Sequence, residues 1–229
     1  MSAKTRIVVI GNGMVGHKFL EALAERSGFE ACEVTVLCEE PRPAYDRVYL
    51  SAYFSGKTAA DLSLVKGDFF AETGIALKLD SKAVAIDRVA KTVTTASGEV
   101  LPYDKLVLAS GSFPFVPPVP GHNREHCLVY RTIEDLEAIK AGAAVSKIGV
   151  VVGGGLLGLE AAKALRDLGL ETHVVEFAPR LMAVQLDDGG AKVLRRKIEA
   201  LGVKVHTEKN TLDITDGESS RHAMKFADG

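Results

Sequence analysis

Hydrophobic positions in this chain fall into short runs punctuated by glycine, and the same figure occurs twice. The run Ile148, Val150, Val151, Val152 leads into Gly153-Gly154-Gly155-Leu156-Leu157-Gly158-Leu159-Glu160. Apolar residues then recur at helical spacing through Leu159, Ala161, Ala162, Ala164, Leu165 and Leu168, and Gly169 stops them. A second run, Thr172 to Val175, closes on Glu176, 23 positions after Gly153. This pattern predicts strand, glycine turn, helix, strand. The copy near the N-terminus reads Ile7 to Ile10, then Gly11-Asn12-Gly13-Met14-Val15-Gly16, then Phe19, Leu20 and Leu23 at helical spacing, with first glycines 142 positions apart. Its second strand is expected over Val34 to Leu37, with Cys38, Glu39 and Glu40 at the end.

Between the two copies lies Pro41 to Ser51, an irregular stretch dense in proline, aromatic and charged residues. Asp61 to Thr73 reads as a helix with Gly74 as its C-cap. Ala83 to Ile86, Thr92 to Thr95, a Ser97-Gly98 turn and Val100 to Pro102 read as an antiparallel meander, followed by a buried strand over Leu106 to Ala109. Prolines 114, 117, 118 and 120 mark a connection, and Glu134 to Ala141 a short helix. Beyond Glu176 come a helix from Asp188 to Leu201 capped by Gly202, strands near Val203 to His206, Leu212 to Thr215 and Met224 to Phe226, and a turn at Ala227 to Gly229. The predicted class is α/β: two Rossmann-like dinucleotide-binding domains with parallel sheets, the first carrying a small antiparallel β-meander. Residues 1–118 form the first segment of the first domain, 119–146 a connection and 147–229 a second domain that ends where another strand is expected.

Composition narrows this without changing it. At 229 residues the chain holds one large or two ordinary domains, and two is the better expectation. Apolar residues are 47% and charged residues 25%, as in ordinary globular proteins, and the net charge is −2. There is no basic excess for nucleic acid, no signal-peptide pattern and no run of membrane-spanning length, so neither nucleic acid nor a membrane is an expected partner and the cytoplasm is the expected compartment. Cys32, Cys38 and Cys127 show no paired spacing and are expected to be reduced and structural. His122 and His126 lie near Cys127, but Pro120 and Gly121 place them in a loop without a fuller ligand set, so no metal site is expected.

The glycine figures carry chemistry. The first glycine allows a tight turn, the second lets backbone approach a pyrophosphate, the third lets helix pack on strand, and the helix N-terminus attracts phosphate. An acid at the end of the second strand accepts hydrogen bonds from ribose hydroxyls. Glu176 stands there in the second copy; in the first, Glu39 or Glu40 does, with the register open between them. Arg47 is a candidate second contact to pyrophosphate, since a guanidinium makes paired hydrogen bonds to such groups. Two fingerprints imply two dinucleotide sites.

The order G-x-G-x-x-G, acidic strand end, P-x-x-x-Y-D-R-x-x-L-S, meander, Y-D-K-L-V-L-A-S-G-S-x-P, then G-G-G-x-x-G-x-E resembles the two-dinucleotide flavoprotein reductases of the glutathione reductase fold. Within them it looks most like the N-terminal flavin module of the NAD(P)H-dependent nitrite reductase large subunits, through Ile10 to Gly16, Cys38 to Arg47, Val129 to Leu136, Gly153 to Ala161 and Thr172 to Ala178. The resemblance implies that Gly11, Asn12, Gly13, Met14 and Gly16 cradle the FAD pyrophosphate, that Glu39 or Glu40 holds its ribose, and that Arg47 contacts its pyrophosphate. Backbone near Ala83 would meet the adenine, and Ser110 with Gly111 would form a loop near the flavin. Gly153, Gly155, Leu156 and Gly158 would bind NAD(H), Glu176 its ribose and Glu160 the nicotinamide edge. A carboxylate at Glu176 should repel a 2′-phosphate, which predicts NADH over NADPH.

Three departures from related patterns matter. Ala52 stands where ferredoxin-type reductases carry lysine, no cysteine pair follows the first fingerprint, and no cysteine lies near Leu50 to Ala52, so thiol chemistry at the flavin is not expected. The family register also places Cys38 at the usual ribose position. The implied activity is hydride transfer from NADH to FAD with no catalytic side-chain nucleophile or acid. Electrons would then pass to iron-sulfur and sirohaem centres, in downstream redox domains or a small subunit, that reduce nitrite to ammonia. The cysteine ligands for those centres and a later glycine-aspartate motif of the FAD site are not among these residues, so a fragment with weakened flavin affinity is expected. The alternatives are a stand-alone rubredoxin or ferredoxin reductase and a non-catalytic NADH/FAD-binding sensor; homo-oligomerisation stays open.

Overall fold

The computed structural model describes residues 3–218 and 220–229 and divides into two compact units, one of Met1–Tyr49 with Thr58–Phe113 and one of Leu50–Lys57 with Pro114–Gly229. The first unit runs β1 (Thr5–Ile10), α1 (Met14–Ala24), β2 (Cys32–Leu37), α2 (Phe69–Thr73), β3 (Ala76–Lys78), β4 (Ala83–Asp87), β5 (Thr92–Thr95), β6 (Val100–Pro102) and β7 (Lys105–Leu108). Its main sheet has the order β3-β2-β1-β7, all parallel, and β4-β5-β6 form the expected antiparallel meander. Strand periodicity divides β1 between two cores. Ile7 and Val9 pack with Leu20, Val34, Val36 and Ile75 on the helical side, whereas Val8 packs with Leu37, Val93 and Tyr103 on the other.

The second unit repeats the plan with α3 (Ile133–Ala144), β8 (Ile148–Val152), α4 (Leu156–Asp167), β9 (Glu171–Val175), α5 (Asp188–Ala200), β10 (Lys204–His206) and the hairpin of β11 (Thr211–Asp216) and β12 (His222–Phe226). Parallel pairing gives β10-β9-β8. Val151, Ala162, Val174, Leu181, Val203 and Val205 form its core. A 3-10 turn at Leu50–Ser55 also belongs to this unit.

Two expectations are corrected, and one strand was not expected. The helix expected over Asp61 to Thr73 is confined to α2, because the preceding backbone bonds to the loop of Ala44 to Asp46: Asp46 N–H donates to the Leu62 carbonyl at 2.8 Å and Leu64 N–H to the Ala44 carbonyl at 3.0 Å. Gly67, at φ +54°, then interrupts any helical path, and Gly74, at φ +70°, ends α2 as expected. The strand expected to be buried over Leu106 to Ala109 is an edge strand bonded to β1, and Leu108 is 64% exposed. β3 had no signal of its own, since three residues are too few to show a period.

One polar group sits deep in the first unit. His17 on α1 is 3% exposed, its ring edge-on to Phe69 at 5.1 Å, and neither ring nitrogen has a hydrogen-bond partner. Burial pushes its pKa down from the ordinary 6.5, and Glu21, 3.8 Å away, offsets this only in part. Acidification therefore protonates the unfolded chain's imidazole before the folded one. Stability should fall as pH drops below about 6.5 and level off beneath the lowered folded value. Thermal melts between about pH 7.5 and about pH 5 should show His17→Leu with a shallower loss than the parent; equal slopes would assign that loss elsewhere.

Candidate dinucleotide sites

Each glycine turn is locked by the strand that follows it. Gly11 N–H donates to the Leu37 carbonyl at 2.9 Å, and Gly153 N–H to the Val175 carbonyl at 2.8 Å. Both glycines have positive φ, +106° and +112°. A Cβ on Gly11 would lie 2.2 Å from the Ala109 carbonyl oxygen and 3.1 Å from Ser110 N, so the end of β7 and the Ser110-Gly111 loop close directly on this turn. A Cβ on Gly16 would be 2.2 Å from the Gly11 carbonyl oxygen, and one on Gly158 2.0 Å from that of Gly153. These third glycines are demanded by packing inside the protein. At Gly13 and Gly155 a Cβ would meet no protein atom within 4 Å, and both have extended backbone that alanine adopts freely. Nothing in the protein requires glycine there, whereas a pyrophosphate approaching the backbone would.

The helices behind these turns differ from two other helices of the chain. α3 carries a capping box, with Thr132 accepting from Asp135 N–H and Asp135 accepting in return from Thr132 N–H, and α5 is capped by Asp187. α1 and α4 start at Gly13 and Gly155 with no side-chain cap and no acid in the first turn. Their leading N–H groups and positive dipole ends are left for an anion. Met14 and Leu156 are their first residues, and Leu156 is 61% exposed.

Glu176 follows β9 and is fixed by backbone: its carboxylate accepts from Gly154 N–H at 2.5 Å and Ala178 N–H at 2.7 Å. A carboxylate has about four acceptor positions, so capacity for ribose hydroxyls is left. Glu160, half-buried, lies in the first half of α4.

In the first unit the pairing registers make Cys38 the counterpart of Glu176: Ile10 faces Leu37 as Val152 faces Val175, and each pair is followed by the same glycine bond. Cys38 is buried, which pushes its thiol pKa up, and its Sγ lies 3.4 Å from the Arg42 carbonyl. The two neighbouring acids are used differently. Glu40 accepts from the Tyr45 hydroxyl at 2.6 Å and pairs with Arg47, whose guanidinium also lies over the Tyr45 ring. Glu39 is half-exposed and reaches Lys82 at 2.6 Å. Asn12 is buried; its side-chain oxygen accepts from Ala44 N–H at 2.8 Å and so ties the glycine turn to the loop carrying Tyr45 and Arg47, while its amide nitrogen is buried without a partner. Ala83 opens β4 beside Val8 and Leu37. An orphaned buried donor beside a turn with room at its second glycine fits a phosphate-bearing cofactor. Neither Asn12's link to Ala44 nor the Glu40, Tyr45, Arg47 cluster was legible beforehand, because each depends on a loop folding back.

The three cysteines are unpaired, and among the described residues no three His, Cys, Asp or Glu side chains gather as metal ligands. His122 Nδ1 is 2.8 Å from the Val119 carbonyl and Cys127 Sγ 3.7 Å from that of Gly121. Among the described residues no helix is long and apolar enough to cross a membrane.

Comparison with known proteins agrees with this geometry. Residues 5–229 match the model of the pyridine nucleotide-disulphide oxidoreductase family. The chain is 55% identical to the nitrite reductase (NADH) large subunit of Escherichia coli, over 99% of this chain and 27% of that protein. It is 57% identical to the nitrite reductase [NAD(P)H] large subunit of Klebsiella oxytoca, over 99% of this chain and 24% of that one. It thus spans about a quarter of the length of these relatives. A ferredoxin reductase from Rhodopseudomonas palustris matches with a TM-score of 0.88 at 28% identity, over 99% of this chain and 56% of that one.

The glycines should separate by substitution. Gly16→Ala and Gly158→Ala each force a methyl group into a backbone carbonyl and should cost about 1–3 kcal/mol of stability in denaturant melts. Gly13→Ala and Gly155→Ala should melt like the parent yet weaken dinucleotide binding about tenfold or more in calorimetric titration. Parent-like binding by the second pair would remove the pyrophosphate from these turns.

Proposed function

The chain belongs to the pyridine nucleotide-disulphide oxidoreductase family, and on that premise we propose that it is the NADH-oxidising flavoprotein part of a nitrite reductase. The observation that carries the reading is the doubled site: two glycine turns, each backed by a helix without a side-chain cap and each open at its second glycine. The first unit would hold FAD, with Gly11, Asn12, Gly13, Met14 and Gly16 at the pyrophosphate, Ala83 at the adenine, and Ser110 and Gly111 near the flavin. Arg47 would lend charge to the pyrophosphate from its pairing with Glu40. Glu39 would be the ribose acid, since Glu40 is held in a half-buried network by Tyr45 and Arg47 whereas the Glu39 pair with Lys82 is exposed.

The second unit would hold NADH, with Gly153, Gly155, Leu156 and Gly158 at its pyrophosphate, Glu176 at its ribose and Glu160 at the nicotinamide. Glu176 selects NADH because its carboxylate, already fixed by two N–H groups, would face a 2′-phosphate with like charge. Bound FAD would supply the chemistry, accepting a hydride, that is two electrons and a proton, from NADH. This chain's residues bind, orient and shield the cofactors. The electrons would leave for iron-sulfur and sirohaem centres that reduce nitrite to ammonia, held outside these residues, whose cysteines are single and scattered. High identity to nitrite reductase large subunits favours this acceptor over rubredoxin or ferredoxin.

Anaerobic mixing of the FAD-loaded protein with NADH should bleach the flavin band. Binding of NADH without bleaching would establish a sensor in place of a reductase. Glu176→Ala should narrow the preference for NADH over NADPH about tenfold or more, read from the two dissociation constants; an unchanged ratio would relocate the ribose contact.

A further inference from the structure

Gly154, between the first two fingerprint glycines of the second turn, is not itself one of them, yet its place admits no side chain. Its φ lies outside the left-handed region, so the backbone would accept alanine. The space would not. A Cβ there would lie 2.5 Å from Leu181 Cδ2, 3.1 Å from Glu176 Oε2 and 3.2 Å from Glu176 Cβ. Leu181 is 1% exposed and packed in the second unit's core, so its tip cannot swing out into solvent. Its loop is fastened to the same turn. Met182 N–H donates to the Gly154 carbonyl at 3.0 Å, the Met182 carbonyl accepts from Gln185 and Leu186 N–H, each at 2.9 Å, and the Arg180 guanidinium donates to the Leu186 carbonyl at 3.2 Å. Gly154 is thus closed between a packed leucine and the carboxylate that its own N–H holds at 2.5 Å.

The first unit supplies the contrast. Asn12 occupies the corresponding place between Gly11 and Gly13, and its side chain accepts from Ala44 N–H at 2.8 Å. There the residue that follows the second strand is the shorter Cys38, not a glutamate. An acid folded back onto the turn goes with a bare residue in the turn. Resting on the reading of the second unit as an NADH site, we propose that Gly154 and Leu181 are positioning residues for cofactor selection. The missing side chain at Gly154 lets the Glu176 carboxylate settle on Gly154 N–H, Leu181 closes the space behind it, and the carboxylate is presented to the adenosine ribose in one orientation. Gly154 offers no side chain and Leu181 is buried, so both act through Glu176. A carboxylate already held in place loses less entropy on accepting ribose hydroxyls than a mobile one. A methyl group at Gly154, pinned by Leu181, would push the part-buried Glu176 off that N–H and leave Gly153, Gly155 and Gly158 as they are.

The test is calorimetric titration of the 229-residue chain with NAD+ and NADP+, which differ only in the 2′-phosphate and do not turn over. Gly154→Ala should weaken NAD+ about tenfold and NADP+ much less, which narrows the preference between them. Leu181→Val removes the Cδ2 atom that the methyl would strike. Combined with Gly154→Ala it should bring NAD+ affinity back to within about threefold of the parent. Equal weakening of both ligands in Gly154→Ala would make Gly154 a merely structural residue and overturn the proposal, as would an unchanged preference or a double variant without rescue. Should Gly154→Ala fail to fold, the double variant decides: a parent-like preference for NAD+ supports the proposal and equal weakening overturns it. A parent that prefers NAD+, with a Gly154→Ala variant that keeps the preference, sinks this proposal alone and leaves the NADH site standing. A parent with no preference removes Glu176 as the selecting acid, one that binds neither ligand overturns the dinucleotide site, and this proposal falls with either.

Discussion

The architecture depends on a backbone contact that tolerates no side chain. In both units a strand must become a helix within three residues, and it does so by folding the turn so tightly that the third glycine lies against the carbonyl of the first. A Cβ there would stand 2.0 to 2.2 Å from oxygen. The N–H of the first glycine is at the same time drawn onto the neighbouring strand. The helix N-terminus is thereby delivered at the C-terminal edge of the parallel sheet, where a ligand can reach it. Cores, strand order and site follow from that closure: Ile7 and Val9, or Val151, can be buried under the helix only because the helix comes down this close.

Repetition of the device makes its differences informative. Where the second unit has Glu176, fixed by two backbone N–H groups, the first has the buried thiol of Cys38, and its acids lie one and two residues further on. The loop over the first glycine turn is held by Asn12 and carries its own small network of Glu40, Tyr45 and Arg47. Two turns built on one plan thus carry different side chains at the same point of the strand register, a fixed carboxylate in one and a buried thiol in the other. Side-chain N-caps are present on α3 and α5 and absent from α1 and α4, the two helices that follow the glycine turns.

Much of this was legible in the residues because its determinants are local. Glycines at fixed offsets, alternation in β1 and β8, helical spacing in α1 and α4 and the Thr132 to Asp135 box each act within about a dozen residues. Legibility failed where partners were distant. Asp61 to Leu64 carries a helical pattern, but its backbone bonds to Ala44 and Asp46 instead. Arg47 reads in sequence as a candidate pyrophosphate contact, and in space it is paired with Glu40. Tyr130 lies in the Val129 to Leu136 stretch before a helix cap, and nothing in that pattern announces a buried hydroxyl.

The sequence by itself determined the two fingerprints, the α/β class, the meander, and Glu176 as the acid that closes the second strand of the second copy, because each rests on the short-range geometry of glycine turns and strand periodicity. Tertiary structure alone decided which partners the two acids after β2 meet, that Leu50–Lys57 packs within the second unit, and that Tyr130 stacks on Phe54. These meetings join residues as far apart along the chain as Phe54 and Tyr130. Their outcome depends on how loops close over finished sheets, and no periodicity in the chain encodes that.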